Sequence, residues 1–231
     1  MGSFLSSMSD ATYACAESSL KCISTHPGNQ FLFQPPQRTT TDITNSNHTE
    51  LVKAGNLPQS PYPVPIIHIK VSSGSFKNHI HNNKCIIYSH GNASDLYVME
   101  DYLKALSQYL NVDVIGYDYT GYGYAQSLST ESPSQSGCVR SLASVMAYAQ
   151  TLNFHEIILM GSSVGSGVTL QYIKDIKGFD GKVILESPFT SVFSIINESS
   201  QNSIMDMFVN IENIKYVKNP AFILHGDADE V

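Results

Sequence analysis

Gly161-Ser162-Ser163-Val164-Gly165 has the spacing G-x-S-x-G, directly after the apolar run 157–160 and at the opening of a helical pattern. In a strand–turn–helix setting this spacing puts a serine on a sharp turn, with its hydroxyl lifted above the sheet edge. Glycine is needed on both sides because bulkier neighbours clash in such a turn. Ser163 is therefore the candidate nucleophile for acyl transfer. Ser162 is only its neighbour, since Ser163 alone has glycine two places before and two places after. The Val164 backbone amide, close to a helix N-terminus, points to where an oxyanion would form. A second donor comes from Ser89-His90-Gly91-Asn92-Ala93, which ends an earlier strand. The Asn92 backbone amide is the candidate there, and each such donor contributes about 3–4 kcal/mol to the transition state. His90 is expected to hold the loop rather than exchange protons.

These residues need a frame that brings two strand ends together. From Pro63 onward, short apolar runs at 64–71, 85–88, 112–115, 157–160, 183–185 and 221–224 read as strands. Between them lie helical patterns. Leu96, Met99, Leu103, Leu106 and Leu110 recur in steps of three and four behind the capping pair Ser94 and Asp95. Val139, Leu142, Val145, Met146 and Ala149 mark a second helix; Val168, Leu170 and Ile173 mark a third. Strands alternating with helices predict an α/β fold, a mostly parallel, doubly wound sheet covered on both faces. Residues 1–62 are rich in Ser, Thr, Asn, Gln and Pro and are expected to be a flexible N-terminal segment, with 39–60 as loop or linker. The domain proper is expected over 63–231.

Composition excludes several classes. Of 231 residues, 42% are hydrophobic, enough for a sizeable core and too many for wholesale disorder. Thirteen Lys and Arg against twenty Asp and Glu give a net charge of −7, with no basic cluster, so no nucleic-acid partner is expected. No run of eighteen apolar residues predicts a membrane-crossing helix. The four cysteines, Cys15, Cys22, Cys85 and Cys138, form no C-x-x-C pair, and no dinucleotide loop appears. Neither metal nor cofactor is expected. Cys85 and Cys138 sit in apolar patterns and read as small buried hydrophobes.

The first six residues, Met1-Gly2-Ser3-Phe4-Leu5-Ser6, fit the N-myristoylation pattern M-G-x-x-x-[ST]. One myristoyl chain binds membrane only marginally, with a constant of roughly 10⁴ M⁻¹, so a second signal is needed. Residues 1–30 hold a single Lys, Lys21, so that signal is not a basic patch; S-acylation of Cys15 or Cys22 would supply it. The N-terminus lacks the basic start and apolar stretch of a secretory signal, which predicts a cytosolic compartment.

Four blocks in order carry a resemblance: His90-Gly91-Asn92-Ala93, Tyr117-Asp118-Tyr119-Thr120-Gly121-Tyr122-Gly123, Gly161 to Gly165, and His225-Gly226-Asp227-Ala228-Asp229-Glu230-Val231. Together they resemble the α/β-hydrolase domain-containing 17 family. Phe31-Leu32-Phe33-Gln34-Pro35-Pro36 is similar to that family's N-terminal Phe/Pro segment, and Asn210-Ile211-Glu212 to its segment before the last strand here. The resemblance implies an α/β-hydrolase fold and a serine hydrolase that removes palmitate from cysteine thioesters of membrane-bound proteins. It further implies an acylated N-terminus, for which Gly2, Cys15 and Cys22 are the candidates. The enzyme would then work at the cytoplasmic face of membranes, plasma membrane or endosomal. Carried over by residue, Ser163 is the nucleophile and Asp229 the triad acid, with Asp227 the less favoured alternative.

In this family the order is Ser, then Asp, then His. No histidine follows Asp229 in these 231 residues. The eight present are His26, His48, His68, His79, His81, His90, His155 and His225, and none is expected to act as the general base. The chain is accordingly expected to lack the last strand and helix of the fold, to expose the edge at 221–224, and to be nearly inactive by itself. Competing readings keep the scaffold and change what it does. One is a general carboxylesterase, lipase or serine peptidase, and another is a catalytically dead short form acting as a binding protein.

Overall fold

The computed structural model describes residues 29–37, 50–52, 63–71, 83–196 and 206–229. Seven strands form one sheet: β1 (Glu50–Val52), β2 (Val64–Ile69), β3 (Lys84–Ser89), β4 (Asp113–Tyr117), β5 (Glu156–Ser162), β6 (Lys182–Glu186) and β7 (Ala221–Leu224). Their spatial order is β1-β2-β4-β3-β5-β6-β7. The pairs β1/β2 and β2/β4 are antiparallel, and every other pair is parallel. Central strands are apolar on both sides, as a sheet covered on both faces requires: Ile86, Ile87, Val114 and Ile115 are all buried.

Two layers of helix supply that cover. On one face α2 (Leu96–Leu110) turns Leu96 and Leu103 onto Ile86, Tyr88, Val114 and Met160. The Asp95 side chain caps it by accepting the Val98 N–H at 3.1 Å. On the other face α3 (Gln135–Thr151) and α4 (Val164–Asp175) bury Leu142, Val145, Val168 and Ile173 against Ile87, Ile115, Leu159 and Leu185. Ser134 caps α3 through the Gly137 N–H. Three short helices complete the set among the described residues: α1 (Asn29–Leu32), α5 (Val192–Ile196) and α6 (Asn210–Asn213). The expected α/β-hydrolase arrangement is the one observed.

Two described elements lie before residue 62, where the domain was expected to begin. α1 and β1 both precede it, β1 pairs with β2 (Leu51 opposite Pro65), and Phe33 is buried in the main core. Four helical residues and three strand residues are too few to leave a periodic trace in a polar stretch. Cys85 and Cys138 are buried free thiols, and burial raises both thiol pKa values. They act as core side chains. Cys15, Cys22 and Gly2 lie outside the described residues.

Register decides where chemistry can occur. Ser89 on β3 lies opposite Gly161 on β5, and Ser162 lies opposite Glu186 on β6. The carboxyl ends of three adjacent strands therefore finish level, and the loops that leave them meet. Among the described residues, no helix is long and apolar enough to cross a membrane.

Candidate active site

Ser163 caps α4 at the end of β5 with φ 49° and ψ −117°, a conformation that L-residues rarely adopt. Such backbone costs on the order of 1–3 kcal/mol and persists only where the surroundings impose it. They do so by close approach. A Cβ on Gly161 would lie 2.3 Å from the Gly165 carbonyl oxygen, and one on Gly165 would lie 2.0 Å from that of Ser89. The two glycines of the motif thus let β5, α4 and the end of β3 touch through backbone alone. The Ser163 N–H donates to the Glu186 carbonyl at 2.9 Å, and Ser166 returns both N–H and hydroxyl to the Ser163 carbonyl at 2.8 and 2.6 Å.

Val164 is the first residue of α4, so its N–H has no acceptor within the helix and is free to face an anion. Ser162, the last residue of β5, lies on the strand rather than on the turn. The loop after β3 comes alongside: a Cβ on Gly91 would stand 3.6 Å from Ser163 Cβ. Ser163, Val164 and the Gly91–Asn92 turn, all singled out from sequence, are therefore neighbours in space.

His90 lies beneath this loop, 1% exposed. Its Nδ1 donates to the Gly91 carbonyl at 2.8 Å, its carbonyl accepts the Tyr119 hydroxyl at 2.6 Å, and its ring stacks 4.1 Å from that of Tyr119. Burial lowers its pKa to about 4, so it is neutral at pH 7. It holds the loop, as its place in the sequence suggested. Asp118 is also fully buried and structural: its carboxylate accepts the N–H groups of Leu96 and Tyr124 at 2.9 and 2.8 Å.

Asp229 lies in the turn after β7, two strands across from β5. Its N–H donates to the Gly226 carbonyl at 3.3 Å, and its carboxylate is 3.6 Å from His225 Nε2. Both side chains are partly exposed. Asp227 shares the same exposed turn. His68 pairs with Asp113 at 3.0 Å where β4 begins, and His155 donates its N–H to Asn83 just before β5, so both sit at the opposite end of the sheet from Ser163. Among the described residues no group of His, Cys, Asp and Glu is placed to hold a metal ion.

Sequence reasoning missed the Asn92 side chain and two aromatic residues. Asn92 Nδ2 donates to the Leu32 carbonyl at 2.6 Å, while its Oδ1 accepts the Gln34 N–H and the Tyr122 hydroxyl, both at 2.9 Å. Phe33 packs edge-on to Tyr122 and Phe208 at centroid distances of 6.5 and 6.3 Å. The Phe/Pro segment at 31–36 carried a trace of this. Phe208 carried none.

Residues 80–211 match the family described as Serine aminopeptidase, S33. An α/β hydrolase of Acanthamoeba polyphaga mimivirus is 32% identical over 205 residues, spanning 87% of this chain and 74% of its own. Human α/β hydrolase domain-containing protein 17B is 28% identical over 150 residues, 63% of this chain and 50% of its own, so the chain spans about half the length of that relative. Among solved structures, the Pyrococcus furiosus esterase Pf2001 superposes with a TM-score of 0.54 at 14% identity, covering 83% of this chain and 75% of that one. Est1E of Butyrivibrio proteoclasticus, bound to ferulic acid, superposes at 0.52 and 16%, covering 73% and 77%. These two likenesses concern the fold. With G-x-S-x-G on its strained turn and the matched region running from β3 to α6, the chain belongs to the α/β-hydrolase family described as Serine aminopeptidase, S33, and the domain-containing 17 proteins are among its relatives.

Proposed function

We propose that this hydrolase uses Ser163 to cleave acyl thioesters, removing palmitate from S-acylated membrane-bound proteins at the cytoplasmic face of plasma or endosomal membranes. The observation that carries the serine chemistry is the strained Ser163 turn, kept in place by two glycines whose Cβ atoms would strike backbone. The likeness to the domain-containing 17 proteins supports the thioester substrate. Ser163 Oγ attacks the thioester carbonyl, the Val164 and Asn92 amides receive the oxyanion, the cysteine thiol leaves, and water releases the fatty acid. Asp229 is the triad acid in this reading, and acylation at Gly2, Cys15 or Cys22 brings the enzyme to its membrane-bound substrates.

The base is the remaining requirement. His68 and His155 are at the far end of the sheet, His90 is buried and neutral, and His225 is turned onto Asp229. A serine triad without its histidine loses about 10⁶ in turnover and keeps roughly 10³–10⁴ over water. Among the described residues no histidine is placed as that base, and His26, His48, His79 and His81 lie outside them; labelling at the residual level is therefore expected of these 231 residues. Labelling by a fluorophosphonate probe tests this, run on this chain, on a C-terminally extended chain, and on Ser163→Ala in each, followed by hydrolysis of a palmitoyl-cysteine thioester. Labelling confined to the extended chain and abolished by Ser163→Ala supports both expectations. Strong labelling of the 231-residue chain keeps Ser163 and makes one of its eight histidines the base. Absence of labelling in both overturns the hydrolase reading in favour of a binding role, and labelling without thioester hydrolysis favours an esterase or peptidase.

A further inference from the structure

We propose that Asn92 is a positioning residue for the oxyanion hole, and that its position is set by a strap, residues 29–37, which must be docked for the loop after β3 to stay beside Ser163. The inference rests on reading the Asn92 backbone amide as an oxyanion donor. Its basis is the unusual allocation of the Asn92 side chain. One amide-hydrogen donor goes to the Leu32 carbonyl, and both acceptor positions of Oδ1 are filled, by the Gln34 N–H and the Tyr122 hydroxyl. Two of these three bonds reach the strap, about sixty positions back in the chain. His90 holds the start of the loop, but Ala93, next to Asn92, has φ 52°, left-handed backbone that an alanine keeps only under outside constraint.

The strap also contacts the nucleophile side. Phe33 is buried between Tyr122 and Phe208. Phe208 in turn presses on Gly167 of α4, where a Cβ would come within 2.7 Å of its ring. Ser163 caps that same helix. Further along, Gln126 Nε2 donates to the Pro36 carbonyl at 2.7 Å and fixes the outgoing end. The strap thus spans the two halves of the site, joined to the oxyanion loop by hydrogen bonds and to the nucleophile helix by aromatic contact. Gln34 and Gln37 on it are exposed, so it can open locally while the sheet stays folded.

Hydrogen–deuterium exchange on the full 231-residue protein tests this without requiring turnover. Gln34→Pro removes the N–H that Asn92 accepts, Gln34→Ala keeps it, and Phe33→Ala removes the aromatic anchor. Followed by NMR, the Asn92 Nδ2 hydrogen held by the Leu32 carbonyl is expected to exchange about tenfold faster in Gln34→Pro and Phe33→Ala, the scale of one lost hydrogen bond, and at the wild-type rate in Gln34→Ala. β3 and β5 should keep their protection. If the Asn92 side-chain hydrogen stays protected in both disrupting variants, or if β3 and β5 open to the same degree, the strap does not set the loop and the proposal falls. Should Phe33→Ala fail to fold, Gln34→Pro against Gln34→Ala decides alone. Fluorophosphonate labelling of Ser163 reports separately on the chemistry. Its failure with coupled exchange intact would remove the catalytic meaning of the linkage but not the linkage.

Discussion

The turn that holds Ser163 and the turn that holds Asp229 both follow parallel strands of one sheet, yet they are built on opposite principles. Around Ser163 the chain is packed so closely that two positions admit only glycine, and the residue between them is held in strained backbone. Around Asp229 there is space: a Cβ on Gly226 would meet nothing nearer than 3.8 Å. β7, which leads to it, leaves Phe222, Ile223 and Leu224 exposed. The first turn owes its shape to three neighbouring elements, whereas the second closes on a local hydrogen bond at 3.3 Å. Precision in the Ser163 half is a packing property, and packing fixes geometry more firmly than a surface turn can.

The largest effect that separates the two turns should come from adding one methyl group to each. In Gly165→Ala the new Cβ meets the Ser89 carbonyl oxygen, and backbone must move; a loss of at least about 3 kcal/mol in urea unfolding is expected. In Gly226→Ala the change should stay within about 0.5 kcal/mol. Equal effects would show that the packing contrast has no energetic content.

Next in size is the pH response of the buried side. His90 is neutral in the fold with a pKa of about 4, against 6.5 in the unfolded chain. Between those values the unfolded chain takes up a proton that the folded chain excludes. The stabilisation from keeping His90 neutral is complete above pH 6.5 and is lost as pH falls toward 4, at most about 3 kcal/mol at 1.36 kcal/mol per pKa unit. His90→Asn keeps a donor for the Gly91 carbonyl and removes the titration. Unfolding free energies at pH 7 and pH 4.5 should therefore differ less in the variant than in the wild type, whatever its absolute stability; identical differences would mean that His90 is accessible to protons.

A smaller gain is expected at Ser163 itself. Ser163→Gly relieves the φ of 49° and should raise stability by about 1–2 kcal/mol while removing the hydroxyl, the opposite sign from an ordinary deletion. Thermal unfolding reads it directly, and a loss of stability would show that the turn is not strained.

What could be read from the sequence follows the same division. G-x-S-x-G is legible because close backbone approach leaves a compositional mark, glycine at fixed spacing. The run 221–224 became β7 at the expected residues, and the helix over Leu96–Leu110 declared itself through steps of three and four. Contacts between remote, isolated residues leave no such mark. Phe33 meets Phe208 across most of the chain, and the Asn92 side chain reaches Leu32 and Gln34. No local period encodes either contact. β1 was hidden for a related reason, since three paired residues in a polar stretch are specified by their partner strand.

The smallest effect on stability belongs to the exposed end of the sheet, and it sharpens the contrast because a second observable should move instead. Phe222 is 61% exposed, and its strand is paired on one side only among the described residues. Replacing it in Phe222→Ser removes little buried area, so unfolding should shift by less than about 0.5 kcal/mol. An apolar strand with unpaired backbone nonetheless favours edge-to-edge association, which a polar residue on its face weakens. Sedimentation at rising concentration should therefore show less self-association in the variant than in the wild type at unchanged stability. A large loss of stability would mean that Phe222 is packed, and β7 would then belong with the tightly built half of the molecule. Unchanged association would leave β7 loose but show that its exposed face is not what drives contact between chains.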